Sequence, residues 1–221
     1  MSVQPQHVRP GRKRSEESRS AILASAFELF GEVGYAALTI EGIAARAGCG
    51  KQTIYRWWAS KADVLLEAIA IKADMHIPIS DRGGYRADLR SFLESSFALA
   101  RQQEVTDILC ALMGEAQIDA GFGERFRVAF LQRRRDALEV ILARAAERGE
   151  VPEQLDRSTI LDIVFGVIWY RMLATRQPLD QAALTGLMDT LTVPDAARRD
   201  QSAAGEPASA RKRSPRSSKS R

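Results

Sequence analysis

Histidine and cysteine are almost missing from this 221-residue chain, with two of each. His7 lies in a polar N-terminal stretch and His76 at the end of an expected helix, so one chain cannot assemble a histidine-based triad or a multi-histidine metal site. Cys49 and Cys110 are too few for a structural zinc site, and no cofactor is expected. Cys49, between Gly48 and Gly50, reads as a small turn residue rather than an oxidant-sensing thiol. Gly50-Lys51 resembles the end of a phosphate-binding loop. The earlier glycine of that motif is absent, however, Gln52 replaces its Ser/Thr, and no strand precedes it. An enzyme therefore finds little to stand on. There is no run of about eighteen apolar residues, and the N-terminal stretch MSVQPQHVRPGRKR has no signal-like apolar region. The expectation is a soluble, cytoplasmic protein.

Strand-like alternation is also lacking, and apolar residues recur instead at helical spacing. Helices are predicted near 15–32, 39–46, 50–57, 61–76, 85–102, 104–119, 122–148, 156–176 and 180–192. Gly83-Gly84, Gly121, Gly149 to Pro152 and Pro178 supply the breaks. Short connections and 45% hydrophobic residues predict an all-α fold, a small N-terminal unit joined to a larger helical bundle. The net charge of +4 is unevenly placed: residues 1–14 carry +4 and residues 194–221 carry +5, leaving the body near −5. Both ends lack material for a core and are expected to be disordered, giving a basic arm (1–14), a DNA-binding unit (15–60), a regulatory bundle (61–193) and a basic tail (194–221).

The segment from Thr39 to Lys61, TIEGIAARAGCGKQTIYRWWASK, carries the most information. Thr39 suits a helix N-cap, although Gly42 stands where a capping box would place Glu. Ile40, Ile43, Ala44 and Ala47 give a helix thin enough to be crossed closely. Gly48 is free to end it in a left-handed conformation. A second helix then begins near Gly50, with Ile54 and Trp58 facing inward and Lys51, Gln52, Thr53, Tyr55, Arg56 and Trp57 offering donors or flat rings. Between Glu41 and Asp63 there is no acid, while Arg46, Lys51, Arg56 and Lys61 are basic, as a surface meeting phosphates requires. The whole reads as a helix-turn-helix.

Thr39-Ile40, Ile43-Ala44, Ala47-Gly48, Lys51 to Tyr55, Trp57-Trp58 and Ser60-Lys61 resemble the N-terminal domain of tetracycline-repressor-like (TetR/AcrR) transcriptional regulators. The likeness extends upstream through Ile22, Ala26, Phe27, Leu29, Phe30, Gly34 and Tyr35, covering roughly residues 18–70. Cys49-Gly50 departs from the family's usual Val-Ser, removing the serine cap. Trp57 stands where the family often has His or another aromatic residue on a phosphate. The resemblance implies that Thr39 and Lys61 hold phosphates while Lys51, Gln52 and Tyr55 read bases, with Arg46, Thr53, Arg56 and Trp57 also at the DNA surface.

Helix 156–176 holds too many apolar residues for one face. It is either central in a monomer or paired across a two-fold axis with the last helix, and the resemblance implies the pairing. Ile160, Val164, Val167, Ile168, Leu184, Leu187, Met188 and Leu191 are the expected homodimer interface, with Gly166 permitting close approach. The resemblance further implies an effector pocket, for which Phe92, Phe97, Met113, Phe126, Phe130, Trp169 and Tyr170 are the candidates, fitting an apolar or planar small molecule. Arg133, Arg134 and Arg135 are expected mostly at the surface. The reading is a homodimeric repressor released from a palindromic double-stranded DNA operator by a small ligand. The alternatives are a non-specific architectural DNA-binding protein, an activator, or a ligand-independent regulator.

Overall fold

The computed structural model describes residues 10–77, 79–151 and 156–192; the tail at 194–221 lies outside them. Among the described residues there are ten α-helices and two π-helical segments, and no strand. The first three helices are α1 (Pro10–Ala37), α2 (Ile40–Arg46) and α3 (Lys51–Tyr55), forming the small N-terminal unit. The bundle comprises α4 (Lys61–His76), α5 (Tyr85–Ala100), α6 (Gln103–Ile118), α7 (Ala120–Phe126), α8 (Arg133–Glu147), α9 (Arg157–Trp169) and α10 (Gln181–Leu191). π-helical turns follow α7 (Arg127–Gln132) and α9 (Tyr170–Thr175).

Helix starts follow local chemistry. Thr39, Ser60, Asp119, Asp156 and Asp180 each precede a helix and accept a hydrogen bond from the backbone N–H three residues on. Each such cap contributes about 1 kcal/mol. Gly42 occupies its unusual position because a Cβ there would lie 3.0 Å from the Leu29 side chain. A side chain at this position, such as the glutamate of a capping box, would require Leu29 to give way.

Several boundaries differ from the sequence reading. α1 begins at Pro10, inside the stretch assigned to the basic arm, with proline at a helix start where its missing N–H costs nothing. Residues 1–9 of that arm lie outside the described residues. The helix expected over 122–148 starts at Ala120, because Asp119 rather than Gly121 supplies the break and the cap. It then passes through the π turn before α8, a local insertion that periodicity does not register. The helix expected to reach 176 likewise ends in a π turn, and Arg176 closes it at φ 52°.

α4 is the central element, packing on α1 on one side and on α5, α6, α7 and the first π turn on the other. Val64, Leu65, Ile69 and Ala73 along it are fully buried. The two units therefore share one core, chiefly through α4 but also through α1 against α6, where the Tyr35 hydroxyl donates to Glu115 Oε2 at 2.9 Å. Lys61 at its start donates to the carbonyls of Tyr35 (2.7 Å) and Leu38 (2.9 Å), closing the end of α1. Asp63 accepts from Arg125 of α7 at 2.6 Å and 3.2 Å, fixing the same end of α4 to the bundle.

Six residues assigned to the dimer interface, Ile160, Val164, Leu184, Leu187, Met188 and Leu191, are instead buried within the chain's own core. Their helical period identified an apolar face correctly, but α9 packs on α8 and α10 on α5 in the same chain. Val167 and Ile168 remain half-buried. The continuous rod Arg157–Thr175 has a mean hydropathy of 1.3 over its most apolar window, yet only 22% of that window is buried.

Candidate DNA-reading surface and effector cavity

The small unit presents α3 by burying one side of it. Ile54 is fully buried and Trp58 nearly so, its indole N–H donating to Glu67 Oε2 at 2.9 Å. Gly48 takes φ +64° and turns the chain between α2 and α3. Gly50 caps α3 in an extended conformation without a side-chain bond, as its lack of a hydroxyl dictates. On the opposite side Lys51, Gln52, Tyr55 and Arg56 are exposed, Tyr55 by 52%, and Thr53 is half-buried. Lysine and glutamine on this turn match the hydrogen-bonding edges of guanine and adenine in a major groove.

The basic side chains are less free than their spacing implied. Arg46 forms a two-pronged ion pair with Glu32 of α1, its Nη1 lying 2.6 Å from Oε1, and that contact holds the Glu32 carboxyl below its ordinary range. Lys51 sits 3.5 Å from Glu41. Both acids lie outside the acid-free window between residues 41 and 63, so a linear count missed them. Lys61 uses two of its N–H groups on the carbonyls of Tyr35 and Leu38, at and just beyond the end of α1, and rests 4.3 Å from the centre of the Tyr35 ring. Only its remaining N–H is left for a phosphate.

Trp57 also departs from a simple phosphate contact. The guanidinium of Arg19 lies 5.4 Å and that of Arg56 lies 5.9 Å from its ring centre, so the indole gathers two cations. Arg19 was not singled out in the sequence. It belongs to α1 and reaches this surface only through the fold, paired at 2.7 Å with Glu67.

In the bundle, a cavity of about 420 Å³ opens among α4, α5, α6, α8, α9 and the two π turns. Of the seven candidate residues, Phe92, Phe130 and Trp169 line it. Phe97 and Phe126 are fully buried packing residues away from the lining, Phe126 stacking at 5.8 Å on Phe130. Met113 faces Gln117 instead, and Tyr170 is 63% exposed. Aromatic identity pointed to the bundle interior, but not to which side of each helix faces space rather than neighbours. Leu99, Leu109, Phe165, Ile168 and Met172 complete much of the apolar wall.

The polar part of the lining is Ser96, Arg134, Arg135 and Asp162. Arg134, the middle of three arginines expected mostly at the surface, is 8% exposed. Its Nη2 pairs with Asp74 of α4, whose other oxygen is held by Arg133. Arg134 Nη1 is buried with no hydrogen-bond partner. Burial pushes the guanidinium pKa down, opposed by Asp74, though arginine stays charged throughout the physiological range. Arg135 pairs at 2.7 Å with Asp162.

A small helix-turn-helix unit with an exposed second helix, packed through α4 and α1 on a bundle with an apolar cavity, is the architecture of a DNA-binding regulator. Comparison with known proteins agrees. The model described as "Bacterial regulatory proteins, tetR family" matches residues 22–68, and "Tetracyclin repressor-like, C-terminal domain" matches residues 79–191. The chain belongs to the TetR family of transcriptional regulators. It is 32% identical to the uncharacterized HTH-type transcriptional regulator YdeS of Bacillus subtilis, covering 80% of this chain and 89% of that protein. It is 29% identical to the DNA-binding transcriptional repressor TetR of Mycobacteroides abscessus, over 80% and 92% respectively. Among solved structures, the TetR family transcription regulator SCO0332 matches with a TM-score of 0.69 at 30% identity, covering 78% of this chain and 94% of that one.

Proposed function

We propose that this regulator is a homodimeric repressor that binds an inverted-repeat operator and is released when a small molecule occupies the bundle cavity. The observation that carries the reading is the position of α4. Its first residue, Lys61, ties down the end of α1 beside the reading unit, while Ala73 and, just beyond the helix, Ile77 line the cavity. A ligand favouring a shifted α4 would move the reading heads by its differential affinity for the two states. The apolar, largely unburied surface of Arg157–Thr175 supports a second copy packed there, through Val167 and its exposed neighbour Tyr170 rather than through the buried residues first assigned or Ile168, which faces the cavity. Thr39, Lys51, Gln52 and Tyr55 make the principal DNA contacts in this reading, with Arg56 and Arg19 held over Trp57 for the phosphates. Repression as the direction is supported by the name of the Mycobacteroides relative.

Selection of bound sequences from a random duplex library, followed by footprinting, tests the proposal. The expected result is an inverted repeat whose half-site centres lie about 34–36 Å, or a multiple of one DNA turn, apart. A single half-site without a repeat would overturn the dimeric reading.

A further inference from the structure

We propose that the effector is an amphipathic monocarboxylate whose head group is held by Arg134, in competition with Asp74. This rests on the reading of the bundle cavity as the effector site, and adds the ligand's charge and the residue that recognises it.

The argument begins with an imbalance. Arg133 and Arg134 share one carboxylate, Asp74, while Arg135 and Asp162 neutralise each other. Arg133 is mostly exposed and, like Asp74, lies outside the lining, but the charged residues that do line the cavity, Arg134, Arg135 and Asp162, still sum to one positive charge in excess. The excess is not dispersed in water on Arg134, whose side chain is 10% exposed and whose Nη1 is buried without a partner. An unsatisfied buried donor is costly, and more so on a charged group. Nearly all the rest of the lining is hydrocarbon or aromatic. An anion attached to an apolar body satisfies both parts at once, whereas a neutral apolar molecule leaves the donor unpaired and a cation adds to the excess.

A carboxylate suits this group in particular. A guanidinium presents paired N–H donors in a planar fork that matches two carboxylate oxygens. Nη2 is already taken by Asp74, so a carboxylate seated on the fork shares or displaces that contact. Asp74 belongs to α4, the helix continuous with the reading unit. Head-group binding on α8 thus loosens a charged tie to α4, giving the ligand a differential interaction with the two states. A cavity of about 420 Å³ is within the common range for small-molecule sites, about 300–1,000 Å³.

The test is calorimetric titration of the full-length protein with decanoate, 1-decanol and decylamine, each below its micelle-forming concentration. Decanoate is expected to bind about tenfold or more tighter than the alcohol, as a charge-assisted bond would give, and the amine weakest. Arg134→Met should abolish the preference for decanoate over decanol. Asp74→Asn should tighten decanoate severalfold by removing the competing carboxylate, a gain that damage to the fold would not produce. Equal affinity for decanoate and decanol in the unaltered protein would overturn the proposal, as would no binding of decanoate or weakened decanoate binding in Asp74→Asn. The selected operator duplex separates this from the wider reading. Decanoate that binds with the expected preference but leaves DNA affinity unchanged upholds the carboxylate site and refutes effector release; release by decanol as readily as by decanoate does the reverse.

Discussion

In the proposed reading Gln52 and Lys61 serve DNA binding in different ways, and their substitutions should differ accordingly. Gln52 is exposed on the first turn of α3. Gln52→Ala should leave thermal stability unchanged and relax preference at one or two base pairs, each worth about 1–3 kcal/mol of discrimination. Binding measured across single-base operator variants checks this, and an equal loss on specific and random DNA would contradict the role. Lys61 is a different case, because its ammonium closes the end of α1 through two charge-assisted bonds. Lys61→Ala should lower stability by about 1–3 kcal/mol, seen in denaturant unfolding without DNA, and should weaken binding to all sequences alike. An unchanged unfolding midpoint would mean that the lysine acts at phosphate alone.

At the scale of elements, the α6–α7 corner depends on one glycine. A Cβ on Gly123 would stand 2.7 Å from the backbone oxygen of Ala116, and a carbonyl cannot swing aside as a side-chain tip can. Gly123→Ala should destabilise by about 1–3 kcal/mol, the range for overpacking, and calorimetric unfolding would show it as a lower Tm. Gly166→Ala, where the added carbon meets nothing within 4 Å, is the matched control. The sequence carried signals for α2 and α3 because these are local: a hydroxyl cap at Thr39, a left-handed glycine at 48, and an inward pair at Ile54 and Trp58. It carried none for Gly123, whose constraint is a contact between helices, or for the π turns, which shift register without changing composition. The arginine run 133–135 shows the same limit. Three adjacent charges read as mostly surface, without saying which one is not, and helical geometry turns the middle one inward to meet Asp74 from an element 60 residues away.

For the molecule as a whole, the misassigned interface is instructive. Apolar periodicity in 156–176 and 180–192 reports that these helices are covered, not by what. The chain's own bundle covers six of the eight residues and Ile168 lines its cavity, so in the proposed dimer the surface left for a second copy centres on Val167 and Tyr170. Tyr170→Asp places a charge in that surface while sparing the core, so sedimentation should show a shift from dimer towards monomer, with affinity for an inverted repeat falling and affinity for a single half-site preserved. A dimer unaffected by this change would locate the interface elsewhere. The central claim, that α3 reads sequence rather than coating DNA, is tested most directly by fluorescence anisotropy with the selected operator and a random duplex of equal length at two salt concentrations. The account predicts a preference of a thousandfold or more for the operator, with the random duplex losing affinity steeply as salt rises. Equal affinity for the two duplexes would contradict it and favour non-specific binding driven by charge alone.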